Sequence, residues 1–244
     1  MVDLLKDKKR VFAIIQARMT STRLPGKVLI DIEGKAFLWH VIERLKHAKK
    51  IDEIVLAIAD TKDSDILEKF AKDNKIQYCR GSEGNLLERY YLSAKKFGAD
   101  VIVRIPSDNA LIDPRIVDLV IERHLNSDAD YTSNVLEKTF PIGLHTEVLN
   151  FDALEKAYNK AKDEYEKEHA TPYIYRHPEI FKLQSVVAEG ILKRPEIRLT
   201  TDTQKDLDLI NEIYKNLYTP GEIIHINEVI NFLDKNPHLI RSNT

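Results

Sequence analysis

The 244 residues carry 37 basic and 39 acidic side chains, a net charge of −2, and are 43% hydrophobic; a core is assured, no global field attracts nucleic acid, and any anion site must be local. The single cysteine, Cys79, excludes an intrachain disulfide and fits a reducing compartment. Residues Met1 to Arg10 lack the apolar segment of a secretion signal and no apolar run approaches the ~20 residues that span a bilayer, so a cytoplasmic protein with no membrane partner is expected.

Val11 to Ile15 is an unbroken β-branched and aromatic run of the kind a central parallel strand carries, and Gln16 begins the exit from it. A basic turn follows, then Gly34 as a turn, and a helix over Phe37 to Lys46 with Leu38, Val41, Ile42 and Leu45 on one face. Ile54 to Ala59 reads as the next strand; Asp63 and Ser64 offer caps for a helix with Ile66, Leu67 and Phe70 as its buried stripe. Ile76 to Cys79 is a short third strand, leading through Arg80, Gly81 and Ser82 into a helix over Asn85 to Phe97. Val101 to Ile105 is a fourth strand, followed by a polar turn and a helix from Arg115 to about Asn126.

From Tyr131 the alternation weakens into short extended pieces, and residues 135–150 read as an excursion serving dimerisation or substrate contact. Helical periodicity returns over Phe151 to Lys162 and in part over Tyr165 to Tyr175, where Pro172 can open a first turn. Leu183 to Ala188 and Ile197 to Leu199 look like late strands, and helices over Asp206 to Leu217 and Asn227 to Leu233 close the chain. With no repeat or linker, residues 1–244 are expected to form one domain. The pattern is α/β, a Rossmann-like, mostly parallel sheet with helices on both faces and a small insertion after the fourth strand.

In such a sheet, ligands sit outside the carboxyl ends of the strands, so Gln16 to Lys27, Asp60, Arg80 to Ser82 and Asp108 are expected to converge on one crevice. Arg18, Arg23 and Lys27 fall within ten residues, among hydroxyls and a Pro-Gly turn whose amides could face an anion. A surface turn with solvated basic residues has the same composition. The turn is not a Walker loop, since Val28 follows Lys27. No Cys/His metal spacing, Ser-His-Asp grouping or dinucleotide G-x-G-x-x-G is present, which disfavours zinc and nicotinamide chemistry.

Ala17 to Lys27 resembles the signature A-R-x-x-S-x-R-L-P-G-K of the cytidylyltransferases that activate sugar acids, and most of all their spore-coat-polysaccharide, SpsF-like branch; eight literal positions in eleven agree. Three later stretches resemble the same family: Arg104 to Asp108 with Leu111-Ile112-Asp113-Pro114; Gly143 to Val148 with Glu168 to Tyr173; and Arg198 to Thr203 with Asp206-Leu207. The chain departs from the pattern at Ser107, where relatives carry glycine, and at Asn109-Ala110, where they carry Cys-Pro.

The resemblance implies a CTP-dependent nucleotidyltransferase that uses Mg²⁺, acts on a small-molecule acceptor and pairs as a homodimer. It implies Arg18, Lys27, Asp108 and Asp202 as catalytic residues, with Asp108 and Asp202 holding the metal. Gln16, Ala17, Arg18, Arg23, Gly26, Lys27, Asp60, Arg80 and Ser82 are expected on the nucleotide, and Glu147 and His169 on the acceptor. His145 is a further candidate, since His titrates near neutral pH. Asp202 precedes a helix and could equally cap it. A glycosyltransferase that uses a nucleotide sugar, or a catalytically silent nucleotide-binding subunit, are the alternatives.

Overall fold

The computed structural model describes residues 8–241. Val11–Ala17 forms β1, buried on both faces: Val11, Ala13, Ile15 and Ala17 enter one core layer, Phe12 and Ile14 the other. A continuous apolar run is what a two-sided strand requires. β4 (Glu53–Ala59) and then β5 (Gln77–Gly81) pair parallel on one side of β1, and β6 (Val101–Pro106) pairs parallel on the other. A separate short hairpin, β2 (Asp31–Ile32) and β3 (Lys35–Ala36), precedes α1 (Phe37–Lys46).

Beyond β6 the sheet continues through β8 (Glu147–Asn150), β7 (Tyr131–Ser133) and β9 (Leu183–Ser185), giving the order β5-β4-β1-β6-β8-β7-β9. Only β8 runs against the rest. The expected excursion over 135–150 is therefore corrected at its end: Val148 and Leu149 are buried and make a sheet strand, and only the preceding residues stay irregular. The late strand expected over Leu183 to Ala188 stops at Ser185, and Ile197 to Leu199 makes a single parallel bridge, Ile142 to Arg198. Here Gly143, at φ 107°, lies so close to the neighbouring chain that a Cβ would sit 2.6 Å from Leu199 C and 2.7 Å from Thr200 N. That backbone-to-backbone approach admits only glycine and fixes the segment leading to Asp202.

α1, α2 (Asp65–Asp73), α4 (Pro114–Leu125), α8 (Gln204–Leu217) and α9 (Ile226–Lys235) cover one face. α3 (Leu86–Phe97), α5 (Phe151–Lys160), α6 (Glu164–His169) and α7 (Pro172–Tyr175) cover the other, and α10 (Pro237–Arg241) follows α9. The architecture is the expected Rossmann-like α/β sheet. Among the described residues no helix is long and apolar enough to cross a membrane.

Ends are fixed locally. Asn85 caps α3 by accepting from Glu88 N at 3.0 Å; Asp113 caps α4 with Pro114 in its first turn. α2 departs from expectation: a 3-10 turn over Lys62–Ser64 leads into it and neither Asp63 nor Ser64 makes a side-chain cap. Ser64 is buried and shares a hydrogen bond with Thr61, which turns Leu67 and Ala71 inward and leaves Ile66 50% exposed.

Strand order reverses at β1, because the chain steps from β1 to β4 and β5 and then returns to β6 on the opposite side. The carboxyl ends of β1 and β6 therefore open a crevice with connections leaving in opposite directions.

Candidate active site

The basic turn leaves β1 and folds back on itself, with Ser21 N and Gly26 N both donating to Met19 O at 3.0 and 3.1 Å. Gly26 takes φ 69° at the entry to a single 3-10 turn, Lys27–Leu29, a conformation that favours glycine and that aims Lys27 back toward the sheet. Gly26 itself is a hinge of the turn and does not line the crevice.

Lys27 Nζ donates to Thr201 O at 2.6 Å and Asp202 Oδ1 at 3.0 Å, and reaches Asp108 Oδ2 at 3.5 Å. Its side chain is only 13% exposed. Asp108 stands just past β6, and its carbonyl accepts from Thr201 N at 3.0 Å, which draws the two aspartate segments together. Asp202 also accepts from Arg198 at 2.7 Å and faces Arg23 at 3.4 Å. Burial alone pushes the Asp202 carboxyl up, but the hydrogen bond and charge of Lys27, joined by Arg23 and Arg198, outweigh it and hold the group below its ordinary value. Asp202 does not cap α8. Thr203 is the N-cap, and its reciprocal partner is Asp206, whose carboxylate also accepts from Asp202 N at 3.0 Å.

A cavity of about 210 Å³ opens beside this cluster. Gln16, Ala17, Arg18, Arg23, Lys27 and Asp108 line it, as do Asp202 and His169. Ser107 lines it too and has no positive φ, so the position where relatives carry glycine needs none here. Gln16 is held by Tyr90, whose hydroxyl donates to Oε1 at 3.1 Å.

Two lining arginines escaped the sequence reading. Arg104, on β6, is paired with buried Glu147, and its Nε is buried without a hydrogen-bond partner. Arg89, on α3, is 4% exposed, donates to Ala17 O at 3.3 Å and also leaves Nε unpaired. Burial pulls the Arg89 guanidinium down to about 10, with the charge of Arg18 adding to it and no carboxylate among the described residues bonded to it. Ser21, Thr22, Glu83 and Glu168 complete the polar wall. A lone arginine inside the apolar strand Val-Ile-Val-Arg-Ile-Pro was the available signal for Arg104.

Five other expectations are displaced. Arg80 is engaged by Asp60 at 3.0 Å, Asp65 at 2.7 Å and Glu68 at 3.0 Å, an ion cluster on the β5 edge outside the cavity. Asp60 is consumed in that cluster, and Ser82 Oγ accepts from Asn85 N at 3.1 Å in the turn before α3. Glu147 is buried behind the wall, holding Arg104 and accepting from Tyr131 Oη at 2.7 Å; burial pushes its carboxyl up, yet Arg104, Tyr131 and Thr171 bring it below its ordinary value. His145 lies off the cavity, and burial lowers its affinity for a proton.

His169 ends α6 in an exposed position, its ring centroid 4.3 Å from that of Tyr165. Ala170 then takes φ 68°, ψ −47°, and Thr171 N donates back to His169 O at 2.9 Å, a tight turn rare for a residue with a side chain.

The site therefore joins a lysine, flanking arginines and two carboxylates at the mouth of a polar cavity, a set suited to phosphate chemistry. Residues 12–226 match the cytidylyltransferase family profile. The chain is 40% identical to the uncharacterized protein MJ1063 of Methanocaldococcus jannaschii, over 96% of this chain and 95% of that one. It is 32% identical to the spore coat polysaccharide biosynthesis protein SpsF of Bacillus subtilis, over 93% and 95%. A solved cytidylyltransferase from Leptospira borgpetersenii superposes with a TM-score of 0.89 at 32% identity, covering 95% of this chain and 97% of that one. With the family matched across nearly the whole fold, the chain belongs to the cytidylyltransferases and is a CTP-dependent nucleotidyltransferase.

Proposed function

We propose that the chain transfers CMP from CTP to a hydroxyl of a small acceptor, a sugar acid or a related hydroxylated or phosphorylated molecule, with release of pyrophosphate, using Mg²⁺, as a cytoplasmic homodimer. The observation that carries this reading is the meeting of Asp108 and Asp202 on Lys27 Nζ, 3.5 and 3.0 Å away, beside an arginine-walled cavity. The name of the Bacillus relative supports a product destined for polysaccharide.

In the reaction the acceptor oxygen bonds to the α-phosphorus, the bond from that phosphorus to the β-bridging oxygen breaks, and the acceptor proton leaves. Lys27 and Arg18 neutralise the departing pyrophosphate, Lys as a point charge and Arg as a fork. His169 lines the same cavity and is our candidate to accept the acceptor proton. Arg89 and Arg104 hold anionic oxygens against the floor. Two carboxylates converging where a cation already sits fit Mg²⁺, which takes one or two carboxylates and fills its shell with phosphate and water. Asp108 and Asp202 would hold the ion, which would offset charge on the phosphates.

The test is a pyrophosphate-release screen of CTP, UTP and ATP against candidate acids and phosphorylated acceptors, with and without Mg²⁺. CTP with Mg²⁺ should be the productive pair; equal or faster turnover with UTP or ATP, or turnover unaffected by chelation, would overturn it.

A further inference from the structure

A second cavity, about 270 Å³, lies between α1 and the end of α8 and shares no lining residue with the first. Its wall is aromatic: Trp39, His40, Tyr214 and Tyr218, with the His40 ring 5.2 Å from Trp39, 4.5 Å from Tyr214 and 5.4 Å from Tyr218. Burial lowers the proton affinity of His40, against the opposite pull of its Nε2 contact with Ile32 O at 2.8 Å. Lys35 stands over the Trp39 ring at 5.2 Å and Arg44 lies beneath, with His47 at the rim. Of the acids at the mouth, Glu43 is tied to Lys46 at 3.0 Å and Glu222 is exposed.

Arg44 is 3% exposed and has no carboxylate bonded to it; it donates to the carbonyls of Ile112 and Ile224 at 2.6 Å each and Leu111 at 3.4 Å. Tyr214 donates to Ala110 O at 2.7 Å. The two residues that floor the second cavity therefore pin, from behind, the backbone that immediately follows Asp108. A buried cation with no carboxylate bonded to it among the described residues, under an aromatic cavity with Lys35 at its rim, suits a flat ring carrying negative charge.

We propose that this cavity is an effector site for a planar aromatic anion, whose ring stacks in the Trp39–Tyr218 slot, whose charge meets Lys35, and whose binding reaches the Asp108 loop through Arg44 and Tyr214. The ligand chemistry is shared by pyrimidine nucleotides and simple aromatic carboxylates, and the test separates them.

Trp39 is the only tryptophan in the chain, so its fluorescence reports this cavity alone. The Lys27→Ala protein, weakened at the catalytic cavity, is titrated with CMP and, separately, with benzoate, which has no indole emission, by Trp39 fluorescence corrected for ligand absorbance. Saturable change with CMP names a nucleotide effector; with benzoate alone, an aromatic carboxylate. Lys35→Glu, an exposed charge reversal, should weaken either probe by tenfold or more, and amide exchange over 109–113 should slow at least twofold on binding but not in Lys35→Glu, which separates this cavity from CMP bound beside Asp108. No saturable change with either probe, indifference to Lys35→Glu, or unchanged exchange over 109–113 would overturn the proposal. None of these readouts requires turnover, so the result stands apart from that of the pyrophosphate screen.

Discussion

Lys27 and Asp202, 175 residues apart in sequence, meet through a 3.0 Å hydrogen bond at the carboxyl edge of the sheet. The bond joins the first loop of the fold to the segment before α8, and the lysine is only 13% exposed there, so it cannot be read as a solvated surface cation. Lys27→Ala should lower the transfer rate by ~10² or more if the ammonium stabilises charge on the leaving pyrophosphate. Circular dichroism and the melting transition should change little, because Asp202 keeps Arg198 and Arg23 as partners and Thr201 N stays bonded to Asp108 O. A folded variant with wild-type turnover would return the turn to a surface role.

Arg89 carries the opposite balance. Its buried guanidinium has a carbonyl partner and no bonded carboxylate, an arrangement that disfavours the free protein and favours an anionic ligand. Arg89→Met should raise the unfolding free energy by about 1 kcal/mol while cutting transfer at least tenfold. Loss of both stability and activity would mark the residue as a packing element.

The framework was legible where the signal is local. β1, β4 and β6 announce themselves as continuous apolar runs, and the crevice at the end of β1 and β6 follows from the order of strands. Arg104 and Arg89 stayed hidden because their meaning depends on distant partners, Glu147 and the carbonyl of Ala17. Arg80 misled for the same reason in reverse: it sits at a strand end, as a ligand contact would, but Asp65 and Glu68 on α2 already engage it. Asp202 could not be separated from a cap until Asp206 was seen to take that task.

His124 gives the fold a pH slope. It is buried between Thr132 and Asn150, and burial lowers its pKa from 6.5 to about 4. The unfolded chain therefore takes up the proton first. This group costs no stability above about pH 6.5, and stability falls as pH drops from there toward 4, by up to about 3 kcal/mol. Urea unfolding at pH 7.5 and 4.5 should show a smaller difference in His124→Gln than in the wild type. An identical difference would refute the assignment.

A two-fold homodimer is expected from the irregular residues that precede β8, where Leu136 is 36% exposed, together with Val187 and Ile191 at 44% and 41%. Light scattering at micromolar concentration should give twice the chain mass, and Leu136→Glu with Val187→Glu should give monomer. A wild type that is monomeric throughout would remove the assignment.

The last prediction joins the two carboxylates. Asp108 follows β6 and Asp202 precedes α8, yet both face Lys27 Nζ, at 3.5 and 3.0 Å. If both act through one divalent ion, Asp108→Asn and Asp202→Asn should each impair transfer while leaving the fold intact, because the amide keeps the size and part of the hydrogen bonding of the acid. The double variant should then lose far less than the product of the single losses, since residues that act through one ion are not independent. The two positions also separate by their neighbours: Asp202 is held by Arg198 and Arg23 as well as Lys27, so its replacement removes a negative charge from beside three cations and should weaken CTP binding less than that of Asp108. Metal dependence should shift in both single variants, with higher Mg²⁺ needed for half-maximal rate. Fully multiplicative losses, or single variants whose Mg²⁺ requirement is unchanged, would show that the carboxylates serve separate tasks and that Lys27 merely neutralises the pair.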